Sequence, residues 1–189
     1  AEYGSGHEHN CAIMSDDSAY CWGNGQYGVL GTNSTTSSTT PVPVYTQDVL
    51  NGKTIKQITT GYYHTCVIAS DDKDYCWGSG AVGRLGNGGI VQRNAPYPVR
   101  ETTTTVISQI AAGNEHTCSL NSEGKLNCWG RGINGELGRD VFLASTTPTA
   151  VNMNNFGTES VKQVVAGDGF TCASTVEGTA FCWGSNDKG

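Results

Sequence analysis

The sequence predicts an all-β fold, a β-propeller built from short four-stranded blades. Three observations carry that prediction. A pair of cysteines with nine residues between them occurs four times, each pair ends in Cys-Trp-Gly, and the first cysteines, Cys11, Cys66, Cys118 and Cys172, step by 55, 52 and 54 residues. Self-similarity at such a period marks repeat architectures, and four short strands in about 50 residues is the pattern of a propeller blade.

The second copy shows the elements most clearly. "KTIKQIT" (53–59) alternates apolar and polar residues and ends before Gly61. "HTCVIAS" (64–70) is rich in β-branched residues and runs into the "DDK" turn, and "DYCWG" (74–78) returns as its antiparallel partner. After a Gly-rich corner, "YPVRE" (97–101) reads as the outer strand, because proline is tolerated at a sheet edge and poorly inside a sheet. No segment keeps a helical period. The approximate repeats are 1–52, 53–104, 105–158 and an incomplete 159–189, all in one partial propeller domain.

Other positions keep step with the cysteines. Gly6, Gly61, Gly113 and Gly167 stand five before each first cysteine, and His9, His64, His116 and then Phe170 stand two before it. Gly28, Gly83, Gly135 and Gly189 follow Cys-Trp-Gly, opening "GVLG", "GRLG" and "GELG" in the first three copies. "PVPV" (41–44), "PYPV" (96–99) and "PTAV" (148–151) come next.

All eight cysteines belong to the four pairs, so the pattern reads as a disulfide framework: Cys11–Cys21, Cys66–Cys76, Cys118–Cys128 and Cys172–Cys182. In a hairpin centred near Asp71, Cys66 and Cys76 oppose each other on one side, within disulfide reach. Each bond closes a short loop and staples its hairpin, for up to ~3 kcal/mol in the loop-entropy picture. Zinc held by His64, Cys66 and Cys76 is the rival, disfavoured because the closely spaced cysteine knuckle is missing. Disulfides place the chain in an oxidising compartment, extracellular or at a cell surface.

Composition narrows the function. The net charge is −6 and the 11 basic residues are scattered, which argues against nucleic acid as a partner. No apolar run reaches membrane-spanning length, which argues against membrane insertion. No nucleophile elbow, phosphate loop or zinc-protease motif is present, so no enzyme activity and no cofactor are expected. "HEH" (7–9) could hold a metal, but His9 is a repeat position and only His7 is extra. The acidic turns "SDD" (15–17 and 70–72) lack the ligand series of a calcium loop and suit hairpin turns.

The hydroxyl-rich segments "TNSTTSSTT" (32–40), "ETTTT" (101–105) and "STTPT" (145–149) read as solvated loops or as sugar-bearing ones. Asn33-Ser34-Thr35 is the one N-glycosylation sequon, and Asn33 is expected to be exposed in the corner after GVLG.

The combination G-x2-H-T-C, C-W-G, G-x-L-G and P-V resembles the regulator of chromosome condensation repeat across essentially all 189 residues. The resemblance implies a propeller, typically of seven four-stranded blades. The cysteine pairs are more similar to the secreted and bacterial branch, which includes a β-lactamase inhibitor, than to the nuclear founder. About three and a half blades are present, because the first copy lacks the K-x-I-x-Q-I strand and the last stops at "CWGSNDKG". Such an arc is expected to be completed by other repeats of the same chain or by a neighbouring subunit.

The resulting expectation is a non-enzymatic extracellular scaffold, adhesion or protein-binding module, part of a larger surface or filament protein. A soluble inhibitor or lectin using one propeller face for a protein or glycan partner is the alternative. A nucleotide-exchange or chromatin role like the founder's is disfavoured by the disulfides and the acidic balance. Clustered exposed aromatics on one face separate the first two, and Tyr27, Tyr62, Tyr63 and Phe142 are the candidates.

Overall fold

The computed structural model describes residues 2–100, 106–157 and 159–187, with Asn155 described by its backbone alone. The "ETTTT" segment (101–105) lies outside the described residues. Short strands separated by glycine turns pair with their sequence neighbours into four antiparallel sheets. The first contains β1 (Tyr3–Ser5), β2 (His9–Ile13), β3 (Ala19–Gly23) and β4 (Ser38–Pro43). The second contains β5 (Ile55–Thr60), β6 (His64–Ala69), β7 (Asp74–Gly78) and β8 (Arg93–Pro98). The third contains β9 (Ile107–Ala112), β10 (His116–Asn121), β11 (Leu126–Gly130) and β12 (Ser145–Ala150). The fourth has three strands, β13 (Val161–Ala166), β14 (Phe170–Thr175) and β15 (Ala180–Gly184). These are three complete propeller blades and one blade without an outer strand among the described residues.

Three expectations are corrected, one of them the "STTPT" loop (145–149), which belongs to the outer strand β12. The outer strand of the second blade is Arg93–Pro98, not 97–101, because Gly78 pairs with Arg93 and Tyr75 with Pro98. Its prolines sit on the outermost strand, where the missing amide protons cost no ladder bond. The first blade does have an innermost strand: Tyr3, Gly4 and Ser5 pair with Ala12, Cys11 and Asn10. That strand is too short to show an apolar alternation.

The four cysteine pairs are directly opposed, Cys11 to Cys21, Cys66 to Cys76, Cys118 to Cys128 and Cys172 to Cys182, each bonded with Cα atoms 4.1 Å apart. That separation belongs to the close, non-hydrogen-bonded pairs of an antiparallel ladder. There is no free cysteine among the described residues, and so no thiolate for the rival zinc site.

The core lies between blades rather than within one. Cys11 and Cys21 pack with Ile58, Val67 and Trp77 of the second blade, and Cys66 and Cys76 pack with Ile107, Ile110 and Trp129 of the third. Because strand side chains alternate in direction, the disulfide faces the following blade while Val67, Tyr75 and Trp77 face the preceding one. Each of the first three disulfides is thus part of the packing surface for the following blade.

One polar joint recurs at each blade boundary. Thr65 Oγ1 donates to the Val29 carbonyl at 2.9 Å, and the Trp77 indole N–H donates to that same carbonyl at 2.8 Å. Thr117 and Trp129 do the same to Arg84, and Thr171 and Trp183 to Glu136. The acceptor is always the residue after the first glycine of G-x-L-G. The threonine proton is committed to the carbonyl, so its oxygen accepts from the histidine of the preceding blade: His9, His64 and His116 Nε2 lie 2.9, 2.9 and 2.8 Å away. This fixes the Nε2–H tautomer of three buried, neutral imidazoles. The closing glycine of G-x-L-G is required by contact: a Cβ on Gly86, at φ +67°, would lie 2.6 Å from Trp129 Nε1.

Candidate functional site

The same joints place the connecting loops. His9, His64, His116 and Phe170 pair with Gly23, Gly78, Gly130 and Gly184, so these strand ends share one end of each sheet. The loops before β2, β6, β10 and β14 therefore open on the same face as the long β3–β4, β7–β8 and β11–β12 connections. The acidic hairpin turns lie at the opposite end.

The loops near the first boundary bring together residues far apart in sequence. His7 stacks on Tyr62 with ring centroids 3.9 Å apart and 15° between planes, and the Tyr62 hydroxyl lies 2.8 Å from His7 Nε2. Tyr63 meets Tyr62 and Tyr27 edge-on at 4.5 and 5.1 Å. Glu8 borders the group, its carboxylate accepting from Asn24 Nδ2 at 2.7 Å. Burial raises the Tyr63 phenol above its ordinary value, and Tyr62 and Glu8 add to the rise. Three of the four aromatic candidates thus converge, and Phe142 lies apart on the third blade. The sequence reading missed His7 as their fourth ring; "HEH" is an aromatic and acidic corner, and no metal-ligating cluster occurs among the described residues.

Toward the second boundary the face carries charge. The buried Arg84 donates from Nη2 to Glu115 Oε1 at 2.9 Å and from Nε to the Ala81 carbonyl at 3.0 Å. Arg131 Nη1 donates to Glu115 Oε2 at 2.9 Å, and its Nε lies 3.4 Å from the buried Glu136. The four charges alternate in sign, which is how a group such as Arg84 is tolerated at 3% side-chain exposure.

On the second and third blades the outer part of the face is apolar. Ile90 and Val91, at 64% exposure each, Ile133, Val141, Phe142 and Leu143 stand in solvent on the connections of the second and third blades. Their backbones are held against glycines: a Cβ on Gly80 would meet the Val91 carbonyl at 2.4 Å, and one on Gly132 the Leu143 carbonyl at 2.3 Å. Val82, also exposed, sits at φ +53°, a conformation costly for a β-branched residue. On the first blade the equivalent segment is hydroxyl-rich, and Asn33 is exposed there with φ +59° and its amide bonded to the Asn94 carbonyl.

An open cavity of about 880 Å³ lies against the last sheet, lined by Arg131, Phe170, Cys172, Cys182 and Trp183 among others. It is the surface that the next sheet covers in the other three blades, so its lining is packing material rather than a set of convergent reactive groups. The described residues contain no helix long and apolar enough to cross a membrane.

Sheets repeated in tandem and joined face to face at these histidine–threonine–carbonyl contacts define an arc of a β-propeller. The chain belongs to the regulator of chromosome condensation (RCC1) repeat family, matching it at residues 16–68, 71–120 and 123–174, with a shorter form of the repeat at 55–84, 107–136 and 161–189. It is 32% identical over 181 residues to the ultraviolet-B receptor UVR8 of Arabidopsis thaliana, covering 95% of this chain and 40% of that protein. It is also 32% identical over 190 residues to the probable E3 ubiquitin-protein ligase HERC6 of Homo sapiens, covering 97% of this chain and 18% of that one. Among solved structures, human WBSCR16 superposes with a TM-score of 0.86 at 19% identity over 99% of this chain and 48% of that one. Prp20p of Saccharomyces cerevisiae superposes with a TM-score of 0.78 at 25% identity, over 97% and 44%. The chain spans two fifths or less of the length of the two sequence relatives.

Proposed function

We propose that the chain is a non-enzymatic protein-binding scaffold that works outside the cell and engages its partner through the loop face. The observation that carries this reading is the asymmetry of the two faces. One presents the His7–Tyr27–Tyr62–Tyr63 cluster together with the exposed apolar residues of the second and third blades; the other presents acidic hairpin turns, where Met14, Val106 and Val176 are exposed but no aromatic cluster forms among the described residues. Exposed apolar surface beside polar groups is a mark of protein-binding sites, and aromatic anchors dominate their energetics. Prp20p, whose structure was reported with its binding to Gsp1p and histones, provides a precedent for partner binding on this fold.

The oxidising location rests on the four disulfides. The aromatic clustering favours a one-face binder, such as a protein inhibitor, over a passive structural role. The test compares capture from source extracts by the native chain, by Ile90→Asp/Phe142→Asp, and by Asp16→Asn/Asp17→Asn on the opposite face. The reading expects proteins held by the first and third and lost by the second. Equal capture by all three would refute it.

A further inference from the structure

We propose that the corner formed by His7, Glu8, Tyr62 and Tyr63 receives a lysine or arginine side chain of the protein partner. This rests on the loop face being the docking face and names the chemistry it selects. The chain itself shows the arrangement such a corner serves. Lys53 Nζ lies 4.8 Å from the centre of the Tyr75 ring, 2.6 Å from its hydroxyl and 2.9 Å from Asp71, which also accepts from that hydroxyl. Arg93 lies over the Tyr97 ring at 4.0 Å.

The Glu8 corner likewise sets a carboxylate near tyrosine, here without a bond between them, and among the described residues no lysine or arginine pairs with Glu8. Arg84, the cation whose field reaches Tyr27 and Tyr63, is buried and turned to Glu115. Tyrosine ring faces and an exposed carboxylate both attract a cation, and the chain's net charge of −6 steers the encounter in the same sense. The Asn24 amide on Glu8 and the His7 stack on Tyr62 hold the two recognition groups in place before a partner arrives.

The test titrates the full chain at low ionic strength with an oligolysine peptide and with an oligoglutamate peptide. The expected result is binding of oligolysine alone, weakened about tenfold by Glu8→Gln/Tyr62→Leu and unaffected by Asp16→Asn/Asp17→Asn. Oligoglutamate binding equally well, or an unchanged affinity in Glu8→Gln/Tyr62→Leu, would overturn the proposal. Should that double variant lose thermal stability, Glu8→Gln alone decides, because Glu8 is exposed. The proposal and the reading beneath it fail separately. Partner capture lost in Ile90→Asp/Phe142→Asp but retained in Glu8→Gln/Tyr62→Leu overturns the cation site and leaves the docking face standing.

Discussion

The His64 imidazole and the Thr117 hydroxyl, 53 residues apart in sequence, meet at 2.9 Å across the boundary between the second and third blades. Both groups are buried, and the hydroxyl donates its own hydrogen bond to the Arg84 carbonyl. Replacing Thr117 by valine keeps the volume and removes both bonds, leaving a buried imidazole donor unmatched. We expect a loss of about 2–3 kcal/mol, measured by denaturant unfolding, with serine restoring most of it. A neutral Thr117→Val would contradict the joint as described.

The same joints make stability sensitive to acid. Burial holds His9 and His116 down to about 4 from an ordinary value of 6.5, and holds His64 well below it. A folded-state value below the unfolded one means the unfolded chain binds more protons between pH 6.5 and 4. The stabilisation is therefore complete above the unfolded value and is lost as pH falls through that window, by up to ~3 kcal/mol per histidine. Unfolding followed from pH 7.5 to 4 should show this decline, and His9→Gln should remove one histidine's share of it. A curve level across the window would rule the joints out as its source.

Gly86→Ala tests the contact between blades directly. The alanine would have to hold φ near +67° and place its methyl 2.6 Å from the Trp129 indole nitrogen. Together these cost about 3 kcal/mol. Gly52→Ala, at φ +72° with nothing near its Cβ, has the conformational cost alone, about 1–2 kcal/mol. The two should separate clearly in thermal unfolding.

The hairpins, the cysteine pairing and the propeller were legible because each repeats. A local alternation seen once is ambiguous, but Cys-x9-Cys followed by Trp-Gly at four regular steps leaves little choice of register. What escaped had no repeated signal. The strand Tyr3–Ser5 has three residues and borrows its pairing from β2, and Arg93–Pro98 is placed by its ladder with β7 rather than by its own pattern. The aromatic corner was legible only as separate residues. Tyr62 and Tyr63 stand between Gly61 and His64 of the second copy, and His7 and Tyr27 belong to the first. Only the rotation of one blade against the next brings their rings together.

Exposure should order the disulfides under reduction. Cys11–Cys21, Cys66–Cys76 and Cys118–Cys128 are fully buried, whereas Cys172 is half-buried and Cys182 exposed. Thiol exchange requires access of the attacking thiolate to a sulfur. Partial reduction of residues 1–189 alone, with alkylation and peptide mapping, should label Cys172 and Cys182 first; with a further sheet on this face, all four bonds should resist alike. Bonds between different repeats would contradict the pairing itself.

The docking face is tested most directly by proximity labelling from single positions. A photoactivatable phenylalanine analogue replaces Phe142 on the loop face or Val176 on the opposite hairpin turns, and each chain is irradiated in extract of the source organism. The account predicts adducts of defined mass from position 142, reduced by unlabelled native chain, and none from position 176. Adducts from position 176 alone, or an equal pattern from both, would contradict a partner-binding loop face.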